Sequence, residues 1–175
     1  MTHKFSIFNF QFSNRKAGAG FTIVELLIYM GLMSIFLVVL MGIFTSALKT
    51  KLASESTSGI SQDSRYILSK LSYDVNNADS VTSPALGITG TSLQIVASGS
   101  VITYATVSGN LTRTVGGVST NLNGNDTQLD SISFKNIGNP GGKPTIQVVY
   151  TVRSKIIIQG GGTEAQTINT TVGTR

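Results

Sequence analysis

Phe21 to Leu48 is a run of 28 residues with a single charge, Glu25, and no proline. A helix needs roughly 20 apolar residues to cross a bilayer, so this run can span one with tilt to spare. It divides the chain into a length of helix that must be kept from water and a more polar remainder after residue 50. A secretory signal peptide fits poorly, because its apolar core usually covers about 7–15 residues and Thr45 with Ala47 makes a weak cleavage site. The plain reading is a membrane anchor. Lys4, Arg15 and Lys16 precede the run; Lys49 and Lys51 follow it. That modest bias favours a cytoplasmic N-terminus and an extracytoplasmic C-terminal part, in a single-pass membrane protein.

Glu25 stands one turn into the apolar run. A carboxylate at membrane depth costs about 2.5–3.5 kcal/mol on insertion scales, which makes such a residue a functional candidate with a partner to be found. No Lys or Arg lies at i+3 or i+4. The expected partner is therefore a cation from another chain or a newly exposed amino terminus.

Composition excludes several functions. Only 12% of the residues are charged and 41% are hydrophobic, which rules out a disordered chain. There is no cysteine and the one histidine is His3. Disulfides, cysteine–zinc sites, a histidine-based triad and a multi-histidine metal site are thereby excluded within one chain. The net charge of +5 is concentrated in residues 1–20, which carry +3; residues 21–175 carry ten basic and eight acidic side chains. Basicity is therefore weak support for a nucleic-acid surface on the rest.

Immediately before the apolar run stands Arg15-Lys16-Ala17-Gly18-Ala19-Gly20, followed by Phe21-Thr22-Ile23-Val24-Glu25-Leu26-Leu27-Ile28. This resembles the class III signal and N-methylation motif of the type IV prepilin and pseudopilin family. The resemblance implies cleavage after Gly20 by the prepilin peptidase, N-methylation of the new amine on Phe21, and an assembly role for Glu25. Removal of Lys4, Arg15 and Lys16 would release the helix from the cytoplasmic face. Glu25 of one subunit could then pair with the Phe21 amine of its neighbour, which sets axial register, a role better suited to a buried ion pair than raw stability. The family often has a proline near position 42; here that residue is Gly42.

A helical period continues beyond the membrane run. Leu48, Leu52, Ile60, Ile67, Leu71, Val75 and Ala78 form one apolar stripe, with Lys51, Glu55, Asp63, Lys70 and Asp74 on the other faces. The predicted helix runs from about Phe21 to about Asn77, on the order of 85 Å at 1.5 Å per residue, with Gly59 as a soft spot. After Asp79 the chain holds all three prolines and 14 of the 19 glycines. Alternating runs at 92–96, 101–107, 111–115, 131–137, 145–153 and 168–172 predict antiparallel strands. Turn clusters separate them: Ser108-Gly109-Asn110, Gly116-Gly117, Asn123-Gly124-Asn125, Asn139-Pro140-Gly141-Gly142 and Gly160-Gly161-Gly162. The expected fold is α+β, a long N-terminal helix packed on a C-terminal antiparallel sheet, as in type IV pilins. Arg65–Ala78, the hairpin around Ile102-Thr103-Tyr104 and Gly109–Arg113, and the segment Gln166–Arg175 are similar to minor pilins of the J or W kind.

Other clusters have bland readings. Asn123, Asn125, Asp126 and Asp130 offer oxygen ligands for a cation such as calcium, but they do not fit a calcium loop of about twelve residues, and a turn is preferred. Gly160-Gly161-Gly162 lacks the Lys-Ser/Thr of a phosphate cradle and reads as a flexible hairpin. Arg113, Lys143, Arg153 and Lys155 read as a solvated strand face rather than a DNA surface. Tyr66, Tyr73, Tyr104 and Tyr150 are expected between helix and sheet. No acid–base pair or nucleophile set stands out, so no enzyme and no cofactor is expected.

Four regions follow: a leader (1–20), a membrane or filament-core helix (21–48), an amphipathic helical half (49–79) and an extracytoplasmic β domain (80–175). The resemblance implies a structural subunit, of the minor kind, of a type IV pilus or type II secretion pseudopilus. Its implied partners are the prepilin peptidase, other pilin or pseudopilin subunits, an inner-membrane assembly platform and membrane lipid. The alternative is a tip-located binding module for DNA uptake or surface adhesion.

Overall fold

The computed structural model describes residues 20–158 and 161–173. The basic leader residues Lys4, Arg15 and Lys16, His3, Gly160 and Arg175 lie outside the described residues. Helix α1 covers Ile23–Asn76. Nine strands follow: β1 (Ser80–Ser83), β2 (Thr89–Gly90), β3 (Leu93–Ala97), β4 (Ser100–Val107), β5 (Asn110–Val115), β6 (Val118–Asn121), β7 (Thr127–Asn136), β8 (Thr145–Ser154) and β9 (Ala165–Gly173). The chain separates into two compact units, residues 1–43 and 44–175.

Within the described part of the first unit, Thr22 caps α1: its hydroxyl accepts the Glu25 N–H at 3.2 Å, and its carbonyl accepts the Leu26 N–H at 3.1 Å. Thr22 and Glu25 have the spacing of a capping box. The helix continues through Gly42 and Gly59 without interruption. It holds a stretch long and apolar enough to cross a membrane, none of it buried.

The second unit is an α+β structure, with the C-terminal half of α1 packed on antiparallel strands. The buried helical stripe is Ser56, Ile60, Ser64, Ile67, Leu71, Asp74 and Val75. Its steps of three and four residues fit the 3.6-residue period. The expected stripe is corrected at both ends. Leu48 is exposed and Leu52 half-buried, whereas Asp74, assigned from sequence to an outer face, is among the buried residues.

The strands form two sheets rather than one. Sheet one has the order β1-β3-β4-β5-β6 and sheet two the order β2-β7-β8-β9; all pairs are antiparallel. Sheet one is largely a meander. Ala97 pairs with Ser100, Val107 with Asn110, and Val115 with Val118, leaving two-residue connections at Ser98-Gly99, Ser108-Gly109 and Gly116-Gly117. Both central residues of each have positive φ, for example 51° at Ser108 and 77° at Gly109. That is the type I′ turn, whose twist matches the flanking strands.

Sheet two is built on β8, whose even-numbered residues from Ile146 to Ser154 are buried and odd-numbered ones half-buried. Its partner β7 changes phase midway. Thr127 and Leu129 are buried, then Ile132, Phe134 and Asn136, because the register shifts between Leu129 and Ser131. Asp130 is the extra residue of this bulge, and without it the second half of β7 would turn its apolar side chains outward.

The core joins Ile67, Leu71 and Val75 of α1 to Leu93, Ile95, Tyr104 and Leu111 of sheet one and to Phe134, Ile146, Val148, Tyr150 and Val152 of sheet two. Tyr104 and Tyr150 lie between helix and strands as expected. Tyr66 and Tyr73 do not; both are exposed.

Candidate functional site

The residues singled out at the start of the apolar run lie together in the first turns of α1 and just before it. Gly20 and Phe21 precede the helix and are exposed. A Cβ added at Gly20 would meet nothing within 4 Å among the described residues. Glu25 follows in the first turn, where the positive end of the helix dipole favours an acid.

Glu25 has a partner that the sequence reading missed. The Tyr29 hydroxyl donates to Glu25 Oε1 at 2.9 Å. The Tyr29 ring in turn meets Phe21 edge-on, with centroids 6.3 Å apart and planes at 76°. The signal stands at i+4, where Tyr29 offers a phenol, a neutral donor at the spacing a Lys or Arg would occupy. An ionised carboxylate has about four acceptor positions. One phenolic hydrogen bond therefore leaves Glu25 able to accept a cationic amine as well.

Beyond Glu25 the helix presents apolar side chains on every face. Twenty large hydrophobic residues between Phe21 and Leu48 are exposed. Monomeric soluble proteins rarely show apolar patches larger than a few hundred Å². Such a sheath requires lipid or protein around it. Ser34 and Thr50 turn their hydroxyls back to the carbonyls of Gly31 and Ser46, at 2.8 and 3.1 Å, which satisfies these groups within the helix.

In the second unit two acids of α1 tie the helix to the strands. Asp74 receives Nε of Arg113 at 2.5 Å and the second guanidinium arm at 3.1 Å; Tyr104 donates to the same carboxylate at 2.5 Å. The Asp74 side chain is 2% exposed and that of Arg113 22%. The Asp74 hydrogen bond raises the Arg113 guanidinium above its ordinary range. Burial first, and Asp74 second, push the Tyr104 phenol far up. Nearer the middle of α1, Asp63 accepts the Gly124 N–H at 2.8 Å and the Thr127 hydroxyl. Both acids were expected on solvent-facing sides of the helix; both are anchors. Tyr150, pushed up to about 12 by burial, donates to the Ser64 carbonyl at 2.8 Å.

The oxygen-rich segment after β6 is held by protein groups. Asn123 is buried; its Oδ1 accepts the Leu111 N–H at 2.9 Å, and its amide donates to Asn110 Oδ1 at 3.0 Å and the Thr127 carbonyl at 3.1 Å. The carbonyl of Asn125 accepts Lys155 Nζ at 3.0 Å, and that of Asp126 accepts the Lys155 N–H at 2.8 Å. Asp130 is paired with Arg153 Nε at 2.6 Å. The arrangement is a turn locked by side chains. Among the described residues no three His, Cys, Asp or Glu side chains form a metal-holding group. Arg113 and Arg153 are each committed to an acid, so the basic residues considered as a surface do not act as a common free patch.

No family model, curated protein or solved structure matches this chain.

Proposed function

We propose that this chain is a prepilin-like structural subunit, of the minor kind, that is cut after Gly20, methylated at Phe21 and assembled through its N-terminal helix into a type IV pilus or a type II secretion pseudopilus. The observation that carries the reading is the helix start itself. An open Gly20–Phe21 junction leads, within one turn, to an acid at the mouth of an exposed apolar helix.

The physical sequence is straightforward. Before cleavage the basic leader holds the chain at the cytoplasmic face, and the apolar sheath lies in lipid. Cleavage removes those charges and creates an amine at Phe21. A cation at a helix N-terminus is disfavoured by the helix dipole unless an acid is near. Glu25 supplies that acid, from the same chain or from the next subunit, while the Tyr29 hydroxyl keeps one carboxylate oxygen partnered. Side-by-side packing of many such helices replaces lipid contacts with protein contacts and keeps the sheath dry.

Mass spectrometry of the protein recovered from its native cell tests the reading. The expected mature N-terminus is Phe21 carrying one added methyl group. A chain that still begins at Met1 in cells with an active prepilin peptidase overturns it.

A further inference from the structure

Sheet two ends in β9, and among the described residues no strand pairs with its outer edge. The phase of that edge follows from one hydrogen bond. Ser154 N–H donates to the Glu164 carbonyl at 2.8 Å, just beyond the Arg153–Ala165 register pair. Antiparallel pairs alternate between bonded and non-bonded. The even-numbered residues of β9 therefore direct their backbone toward β8. Ala165, Thr167, Asn169, Thr171 and Gly173 direct their N–H and C=O groups outward.

Native proteins guard long edges with charge, proline or a bulge. Residues 165–173 contain no Asp, Glu, Lys, Arg or Pro, and the β8–β9 register is unbroken over nine pairs. Beside this edge runs a groove of about 240 Å³ lined by Ser61, Ser64, Arg65 and Leu68 of α1 and by Gln166 and Ile168 of β9. Drug-sized ligands occupy sites of about 300–1,000 Å³, so the groove suits side chains rather than a free small molecule. Ser64 is 3% exposed, and its buried hydroxyl has no hydrogen-bond partner among the described residues. Arg65 is exposed and forms no ion pair among the described residues.

We propose that the outer edge of β9 is a docking site for an extended, acid-bearing peptide segment of another protein, which adds as a further strand to sheet two and lays alternate side chains in the groove beside α1. The open backbone edge calls for an extended chain, which satisfies its donors and acceptors as β-augmentation does. Arg65 calls for a carboxylate. The edge strands of a second copy, β1, β2, β6 and β9, carry no acid. The inference stands apart from the filament reading, because it concerns the second unit alone and is indifferent to processing at Gly20.

Fluorescence anisotropy tests it with the full chain in detergent micelles. The probe is the labelled peptide Thr-Val-Thr-Glu-Val-Thr-Val, compared with the same peptide carrying Lys in place of Glu. The Glu peptide is expected to bind at least about tenfold more tightly, and Arg65→Glu to invert that preference. Asn169→Pro removes an outward N–H, as proline does on tolerated edge positions. It is expected to weaken binding at least about tenfold with little change in Tm. Should Asn169→Pro lower the Tm, Arg65→Glu, a change on the exposed helix surface, decides the matter. Absence of binding, or equal binding by both variants and wild type, overturns the proposal. So does a concentration-dependent dimer in sedimentation that Asn169→Pro dissolves, since the occupant is then a second copy.

Discussion

Replacing either member of the Asp74–Arg113 pair is expected to destabilise the second unit by unequal amounts. In Arg113→Met the Asp74 carboxylate, 2% exposed, keeps only the Tyr104 hydroxyl as a close side-chain donor. Breaking a buried pair in this way costs about 3–5 kcal/mol, because an uncompensated charge stays inside. In Asp74→Asn the cation left behind is 22% exposed and can turn its guanidinium toward water. The Asn oxygen still accepts from Tyr104. The loss is then that of charge-assisted hydrogen bonds, about 1.5–3 kcal/mol. Removing both charges together should recover part of the deficit, since replacing a whole buried pair by neutral groups of similar volume is often neutral or better. The assay is urea unfolding of a soluble form beginning at Lys49, followed by far-ultraviolet circular dichroism, with the four proteins of the cycle analysed for midpoint and slope. Equal losses below about 1 kcal/mol, or a larger loss for Asp74→Asn than for Arg113→Met, would refute the reasoning that Asp74 is the sequestered partner.

The buried phenols predict a basic limit to stability: below pH 10 they are protonated in both states, and above it the unfolded tyrosines ionise while Tyr150 keeps its proton to about 12. The soluble form should therefore lose up to about 1.4 kcal/mol per pH unit per buried tyrosine between these values, and Tyr150→Phe should flatten its share of the slope in pH-dependent unfolding. Asn123→Ala leaves the Leu111 N–H and the Thr127 carbonyl without their side-chain partner and should cost about 2–4 kcal/mol by urea titration. Ser108 is the first residue of a type I′ turn, so Ser108→Asn should raise stability by about a few tenths of a kcal/mol and Ser108→Val lower it by about 1–2 kcal/mol, read as Tm shifts of opposite sign. Glu25→Ala should leave cleavage and membrane retention intact but exclude the subunit from filaments, scored by shearing and immunoblotting; normal incorporation would remove the pairing argument.

Much of the architecture could be read from residue order. The helix was legible because apolar residues recur at its period; its ends, Ile23 and Asn76, differ from the expected ones by two residues or fewer. Six strands were legible from alternation. The missed β1, β2 and β6 contain no buried residue, so no core pattern betrays them. Division into two sheets depends on strand pairing, such as β2 with the far end of β7, which no local pattern encodes. The misassigned acids have the same cause. Asp74 meets an arginine 39 residues away and Asp63 a threonine 64 residues away, and an isolated carboxylate reads as solvent-facing until that partner is known. At the helix start, Gly20, Phe21 and Glu25 are proposed from the motif alone, whereas the Tyr29 contact with Glu25 required a geometry that admits uncharged donors.

The three tight turns of sheet one have a kinetic consequence. From β4 to β6 each strand pairs with the one made just before it, so little chain must be closed at any step, and the ladder can zip up in the order of synthesis. Sheet two brackets that meander: β2 waits for β7 while β3 to β6 of sheet one intervene. The late, long-range closure belongs to sheet two. Substitutions in the meander's turns should therefore act mainly on the rate of folding, and those in β7 to β9 mainly on how fast the finished head comes apart.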